Sequence, residues 1–250
     1  MISNMKRRDF MKLNATALLT AALPGGIHAG NASASNKPNI VLIMADDMGY
    51  SDIGCYGSEV ETPALDRMGN NGMRFTQFYN MAKCNPTRSS LLTGLYFRKK
   101  HSGNACSLGQ LMRHSGYYAA TSGKEHFDGW VPKRCYAENS FDKSFVFWGC
   151  TQYFKPSWGF RYPFRLDGKV INPADMALSE RPFYKTDAVT DYALRFLDQS
   201  NQSGKPFFLY LPYHVAHYPL QARPEDIEKY RGKYMQGWDV CRKERFARQQ

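Results

Sequence analysis

Runs of apolar residues predict the strands of the fold. Residues 40–45 and 207–211 are apolar without alternation, a pattern typical of strands buried on both faces in the centre of an α/β sheet. Residues 117–122 predict a third strand. Residues 73–79 alternate between apolar and polar positions, which predicts a half-buried strand.

Capping residues and helical periodicity place helices between these strands. Thr62 and Pro63 open one helix, Pro86 begins another, and residues 107–114 predict a third. From Thr186 onward, one helical face carries apolar side chains. These are Val189, Tyr192, Ala193, Phe196 and Leu197.

Strands and helices thus alternate along the chain, which predicts an α/β fold. Residues 129–184 are aromatic and irregular, as in a long insertion beside a site rather than a separate domain. Of the 250 residues, 43% are hydrophobic and 14% aromatic, which is enough for a folded core. No apolar run reaches the roughly 18 residues that cross a bilayer, so we expect no membrane span in the mature chain.

The chain carries a formal net charge of +11. Residues 1–34 contribute four basic residues against Asp9, so removing them leaves +8. A positive balance favours an anionic partner. The basic residues are scattered, and the run at residues 242–245 is more typical of a solvated helix face than of a nucleic-acid site. We therefore expect no nucleic-acid partner.

The first 34 residues have the layout of an export signal. Arg7 and Arg8 are followed by Phe10 and Lys12, then by a moderately apolar stretch and small residues. This order resembles the bacterial twin-arginine signal, and an ordinary secretory signal is the alternative. The resemblance implies the twin-arginine export machinery as a partner and a periplasmic or extracellular location in a bacterium.

Polar groups follow three of the predicted strands. In open α/β sheets, sites form at the carboxyl ends of strands, where the loops converge. A pair of aspartates is commonly a turn or a cap, and a lone loop histidine is commonly structural. Polar groups of these kinds at the ends of three strands together nevertheless predict a site. The groups are Asp46 and Asp47, Lys124 and His126, and His214 and His217.

A fourth motif identifies the chemistry. Cys84, Pro86 and Arg88 form C-x-P-x-R, and residues 92–94 add Leu-Thr-Gly. This combination resembles the signature of the sulfatase family, in which the cysteine is oxidised to Cα-formylglycine. Further similarity extends through residues 49–66 and the Gly-Lys-x-His element to the end of the chain. The chain is identified on these residues as a member of that family.

The resemblance implies an alkaline-phosphatase-like central β-sheet flanked by helices. Residues 35–250 would form the N-terminal part of a sulfatase catalytic domain. A formylglycine-generating maturation enzyme would act on Cys84. Calcium is the implied metal, bound by Asp46, Asp47 and the modified Cys84, because hard carboxylate oxygens suit a hard cation.

The remaining roles are also implied by the resemblance. Arg88 would hold the aldehyde hydrate, Lys124 would contact sulfate, and His126 would be the base that triggers sulfate release. His217 would bind sulfate and protonate the leaving oxygen, with His214 as the next candidate. We expect Arg88 and His217 to point into a cleft rather than into a core. Gln221 and Trp148 are further residues that could shape the pocket.

The hydrated aldehyde suits the reaction because it offers two hydroxyls on one carbon. One can attack sulfur and expel the alcohol, and loss of the proton from the other then ejects sulfate and restores the aldehyde. A serine would instead need water to attack sulfur again. The site must also neutralise anionic oxygens, and Cys84 lies near the positive end of a predicted helix.

Part of the family pattern is not present in these residues. The family's late Asp-Asn pair and second lysine cannot be placed, and the sequence ends within a basic helix that begins near Asp239. This predicts a truncated sulfatase that lacks the C-terminal part. Two alternatives stay open: a non-catalytic remnant that at most binds anions, and a related phosphoesterase with a Ser or Thr nucleophile, against which Cys84 argues.

The resemblance implies a sulfate ester as the substrate, either an aryl sulfate or a sulfated carbohydrate. Oxidation of Cys84 would leave five cysteines, an odd number that implies at least one free thiol in an oxidising compartment. They are Cys55, Cys106, Cys135, Cys150 and Cys241.

Overall fold

Six strands form one mixed sheet in the computed structural model. The structure describes residues 37–97, 105–126, 136–149, 152–154, 163–171, 176 and 182–250. The predicted signal at residues 1–34 lies outside these ranges, as do Cys135 and Cys150. The strands are β1 (Ile40–Met44), β2 (Tyr118–Lys124), β3 (Lys143–Phe147), β4 (Arg165–Leu166), β5 (Lys169–Val170) and β6 (Phe207–Pro212).

The order of the strands across the sheet is β1-β6-β2-β3-β4-β5. The first four in this order are mutually parallel, and the short hairpin of β4 and β5 adds antiparallel pairs at the far side. Because β1, β6, β2 and β3 run in the same direction, their carboxyl ends lie at one edge of the sheet. The α/β prediction is confirmed, and this edge carries the polar groups identified above.

Seven α-helices accompany the sheet. They are α1 (Pro63–Asn71), α2 (Cys84–Thr93), α3 (Leu108–His114), α4 (Ala137–Ser140), α5 (Lys185–Ser203), α6 (Pro224–Glu228) and α7 (Trp238–Gln249). These are the α-helices of the described ranges. The predictions for α1, α3, α5 and α7 are confirmed, and α2 begins at Cys84, two residues before the predicted start at Pro86. None of them combines the length and the apolar character that a membrane crossing requires.

Helices pack on both faces of the sheet. The apolar face of α5, with Val189, Tyr192 and Phe196, packs against Phe145 and Leu209 of the sheet. On the opposite face, a second cluster joins helices α2, α3 and α4 to the strands. Its buried members are Leu92, Tyr117, Ala119, Ala137, Phe141, Val146, Phe208 and Tyr210. The sheet flanked by helices is therefore present as predicted.

Three expectations from the sequence are wrong. β1 is not buried on both faces: it is an edge strand within the described residues, and Val41 and Ile43 are 48% and 46% exposed. Residues 73–79 form no strand, and Met73 and Phe78 are largely exposed. The stretch 129–184 is not wholly irregular, because it contributes β3 to the buried part of the sheet. Apolar composition alone does not distinguish an edge strand from a central one.

Helix α7 is attached to the segment that follows the first strand. The guanidinium of Arg245 donates to both carboxylate oxygens of Glu59, at 2.8 and 2.5 Å, and to Asp52 at 2.8 Å. The hydrogen bonds from Arg245 to Glu59 are the main cause that lowers the pKa of Glu59 to about 2. Arg248 adds a bond to the carbonyl oxygen of Gly57 at 3.0 Å. The last helix thereby fixes the loop at residues 52–59.

Candidate active site

The carboxyl ends of β1 and β6 are joined by backbone hydrogen bonds. The amide of Asp46 donates to the carbonyl oxygen of Val215 at 2.9 Å, and the amide of Ala216 donates to the carbonyl oxygen of Asp46 at 2.7 Å. These bonds hold the aspartate pair against the turn that carries His214 and His217. The structure therefore brings together the groups that the sequence placed at these two strand ends.

Cys84 is the first residue of helix α2 and faces the loop after β2. Its Sγ lies 3.3 Å from Nδ1 of His126. The side-chain amide of Asn85 donates to the carbonyl oxygen of His126 at 3.0 Å. Asn85 was not among the predicted site residues, although its place inside the C-x-P-x-R motif was a usable signal. It anchors the histidine loop to the helix that presents the thiol.

Three charged side chains form a buried cluster around Asp46. Asp46 forms ion pairs with Lys124 and, at 3.4 Å, with Arg88. The side chains of Arg88 and Lys124 are fully buried, and Asp46 is 3% exposed. Arg88 also donates to the carbonyl oxygen of Lys124 at 3.0 Å. Two cations against one carboxylate leave this cluster with an excess positive charge, which favours a nearby anion.

This geometry corrects one expectation and qualifies another. Arg88 does not point into an open cleft, because its whole side chain is buried in contact with Asp46. Lys124 was expected to contact sulfate, and its ammonium group is paired with Asp46 in this structure. Arg88 and Lys124 therefore hold Asp46, the candidate metal ligand, and also contribute positive charge to the site.

The two histidines after β6 have different surroundings. Nε2 of His217 lies 3.5 Å from the carboxylate of Asp47, and Nδ1 lies 2.7 Å from the carbonyl oxygen of Tyr218. His214 is 2% exposed, and neither of its ring nitrogens has a hydrogen-bond partner in the described residues. Burial, together with the nearby charge of Lys185, lowers the pKa of His214 to about 2. Burial therefore disfavours the charged imidazolium form of His214, which makes His214 a poor general acid.

Backbone conformation sets the positions of the site residues. Asp47, Ala82 and His126 have φ values of 57°, 55° and 45°, in the left-handed region that non-glycine residues seldom adopt. Such strain is often stored at functional sites. Gly123 has φ of 140°, and a Cβ there would overlap the carbonyl of Pro212, with the carbonyl carbon at 2.8 Å. A glycine at this position lets β2 and β6 approach each other beside the site.

The remaining pocket candidates also lie near these groups. The ring of Trp148 packs edge-on against His126, with the ring centres 5.8 Å apart. Gln221 accepts a hydrogen bond from the amide of Tyr153 at 2.8 Å. Trp148 thus borders the thiol side of the site, and Gln221 supports a neighbouring loop. The thiols of Cys55, Cys106 and Cys241 are free, as the odd cysteine count predicted.

The described residues do not by themselves fit a calcium ion. They contain no group of three or more His, Cys, Asp or Glu side chains arranged to hold a metal. Asp46 is engaged by Lys124 and Arg88, and Asp47 is 56% exposed and faces His217. Calcium takes 6–8 oxygen ligands, and these two carboxylates offer at most four.

Solved structures show which fold this arrangement shares. A crystal structure of Ps i-CgsB in complex with k-i-k-neocarrahexaose is 27% identical, with a TM-score of 0.68 over 85% of this chain and 52% of that one. A second, bound to its substrate D-glucosamine-2-N,6-O-disulfate, is 25% identical, with a TM-score of 0.64 over 80% of this chain and 38% of that one. A protein of the alkaline phosphatase superfamily from Vibrio parahaemolyticus, at 18% identity and a TM-score of 0.52 over 80% of this chain and 45% of that one, shares the fold alone. The predicted alkaline-phosphatase-like architecture is confirmed.

Sequence relatives agree with these structures. An uncharacterized sulfatase of Schizosaccharomyces pombe is 32% identical over 86% of this chain and 44% of its own length. An arylsulfatase of Klebsiella aerogenes is 29% identical over 93% of this chain and 53% of its own. The chain thus spans about half the length of these relatives. The sulfatase family model matches residues 38–249, and the chain therefore belongs to the sulfatase family.

Proposed function

We propose that the protein hydrolyses sulfate esters through a formylglycine hydrate made from Cys84. The observation that carries this proposal is the position of Cys84 at the start of a ten-residue helix, 3.3 Å from His126, on the same helix as the buried Arg88, which donates to the carbonyl oxygen of the buried Lys124. The helix N-terminus and the two cations favour an anion at this point. The family membership supports the same chemistry.

The site residues divide the proton transfers between them. One hydroxyl of the hydrate would lose its proton to solvent and attack sulfur, the bond between sulfur and the alcohol oxygen would break, and His217 would donate a proton to that departing oxygen. His126, which contacts the side chain of residue 84, then removes the proton of the second hydroxyl, so that sulfate leaves and the aldehyde returns. Arg88 and Lys124 stabilise the negative charge through their field, since preorganised charges in a dry site are effective.

The substrate class we propose is a sulfate ester of a phenol or of a carbohydrate. The Klebsiella aerogenes relative is named an arylsulfatase, and two of the solved structures hold k-i-k-neocarrahexaose and D-glucosamine-2-N,6-O-disulfate. The charge of +8 in residues 35–250 agrees with a polyanionic carbohydrate. We propose further that residues 1–34 are a twin-arginine signal that exports the protein to the periplasm or beyond.

Oxidation of Cys84 is the first test. In a host with a formylglycine-generating enzyme, mass spectrometry should find residue 84 as the aldehyde, and a hydrazide reagent should label it. The exposed thiol of Cys106 is the internal control and should remain alkylatable. With calcium added above the expected millimolar dissociation constant, the oxidised protein should release inorganic sulfate from 4-nitrophenyl sulfate. A residue 84 that stays entirely thiol in such a host contradicts the proposal.

Calcium binding is the second test. We propose that Asp46 and Asp47 contribute to a calcium site that needs further oxygen ligands. Since two carboxylates do not satisfy calcium and Asp46 is already paired with Lys124, the 250-residue protein should bind the ion no more tightly than millimolar in calorimetric titration. An Asp47→Asn variant is the reference for non-specific binding. Micromolar affinity in the 250-residue protein would show that the described set of ligands is incomplete.

A further inference from the structure

Tyr153 is a buried tyrosine whose hydroxyl spans the turn that carries His217. The hydroxyl oxygen lies 2.8 Å from the carbonyl oxygen of His217 and 3.0 Å from that of His214, and its proton is shared between them. The residue is 1% exposed. The amide of His217 also donates to the carbonyl oxygen of His214 at 3.0 Å. Tyr153 therefore contacts both ends of the turn at residues 214–217, which is closed by the hydrogen bond between His217 and His214.

Tyr153 is itself held firmly from two sides. Its amide donates to the side chain of Gln221 at 2.8 Å, and its carbonyl oxygen accepts from the amide of Lys185, the first residue of α5, at 2.8 Å. The ammonium group of Lys185 lies 5.3 Å from the centre of the tyrosine ring. A residue fixed to the long helix in this way can act as a rigid support for a neighbouring turn.

The rings of this region form a continuous stack. Tyr153 and His214 have ring centres 5.0 Å apart at an interplanar angle of 26°, and His214 and His217 follow at 5.3 Å and 25°. The ring of His214 lies between those of Tyr153 and His217 and packs against both. Tyr153 thus contacts His217 in two ways: its hydroxyl donates to the carbonyl oxygen of His217, and its ring is connected to the His217 ring through that of His214.

We propose that Tyr153 is a positioning residue that fixes the imidazole of His217 for proton donation to the leaving oxygen. This inference rests on the proposed function of His217. The hydroxyl of Tyr153 is the group that contacts the carbonyl oxygen of His217. Removing this hydroxyl would leave the ring contacts of Tyr153 in place. Misplacing an acid by a fraction of an ångström is costly in rate.

The test is Tyr153→Phe, with Tyr184→Phe as the matched control. Tyr184 stacks on Tyr153 and lies 3.5 Å from the carbonyl oxygen of Gln221, without a hydrogen bond to the histidine turn in the described residues. Both variants lose one hydroxyl from the same aromatic group. The substrates are phenyl sulfate, whose leaving phenolate needs a proton, and 4-nitrophenyl sulfate, whose leaving group is a stable anion. General acid catalysis contributes about 10²–10⁴-fold.

We expect Tyr153→Phe to lower kcat for phenyl sulfate by about 10–100-fold and for 4-nitrophenyl sulfate by less than about threefold. Tyr184→Phe should leave both rates within about twofold of the parent. An equal loss on both esters, or no loss on either, would overturn the proposal, since a merely structural role does not distinguish leaving groups.

A second measurement does not depend on turnover. In long-range ¹H–¹⁵N NMR spectra of histidine-labelled protein, Tyr153→Phe should shift the ring signals of His217, and Tyr184→Phe should not. If the parent protein hydrolyses no sulfate ester, the proposed function fails, and these spectra still decide the positioning role. Unchanged His217 signals in Tyr153→Phe would refute it.

Discussion

Replacing Cys84 by alanine is expected to abolish sulfate-ester hydrolysis, with a loss on the order of 10⁴-fold or more. The reason is that the modified Cys84 is the proposed nucleophile, and no other side chain of the described site is assigned that role. Sulfate release from 4-nitrophenyl sulfate measures the loss, in protein made with the maturation enzyme. The thiol is only partly buried, so the variant should fold.

Two further variants sharpen this result. Cys106→Ala removes an exposed thiol and should leave the rate unchanged. Cys84→Ser keeps one hydroxyl but cannot eliminate sulfate, so at most one sulfate should stay bound covalently, as intact mass spectrometry would detect. Substantial turnover by Cys84→Ala would mean that the nucleophile lies elsewhere. Hydrolysis of a phosphate monoester instead of the sulfate would favour the phosphoesterase alternative.

Replacing Gly123 by alanine should destabilise the protein by about 3–5 kcal/mol. The added methyl group would overlap the Pro212 carbonyl of the neighbouring strand, and the φ of 140° is one that L residues rarely adopt. Backbone cannot yield as a flexible side chain can, so β2 and β6 would have to separate. Urea denaturation followed by circular dichroism gives the change in the free energy of unfolding.

Gly204→Ala is the matched control for this change. Gly204 also has positive φ, at 66°, but an added Cβ would meet no atom within 4 Å. Its replacement should cost about 1–2 kcal/mol, the ordinary penalty of the left-handed region. If Gly123→Ala costs no more than Gly204→Ala, the close approach of the two strands is not a constraint on the sequence.

The sequence identified the residues that the fold brings together more fully than it identified the order of the strands, and the catalytic roles of these residues stay predictions. The thiol, its histidine neighbour and the buried arginine follow from one contiguous motif and one strand end, so local pattern was sufficient for Cys84, His126 and Arg88. The position of β1 at the sheet edge depends on which strands pair, and pairing is a long-range property that apolar composition does not encode. β3 was missed because five residues within an aromatic stretch carry no distinctive period.

The positioning role proposed for Tyr153 could not be predicted from the sequence. Its neighbours along the chain do not identify it, and its importance comes from contacts to residues more than 60 positions away. The ion pairs of Asp46 with Lys124 and Arg88 are equally non-local. A motif names the residues that carry the chemistry, whereas the groups that hold them in place become visible only when the fold is known.

The attachment of α7 to the segment after Asp47 constrains the order in which the chain can assemble. Arg245 follows Glu59 by 186 residues and Asp52 by 193. During synthesis, the earlier parts of the chain emerge first and can fold before the rest is made. The carboxylates of Glu59 and Asp52 must wait without their guanidinium partner until α7 has left the ribosome. The loop behind the aspartate pair therefore gains this contact only after all six strands of the sheet have been synthesised.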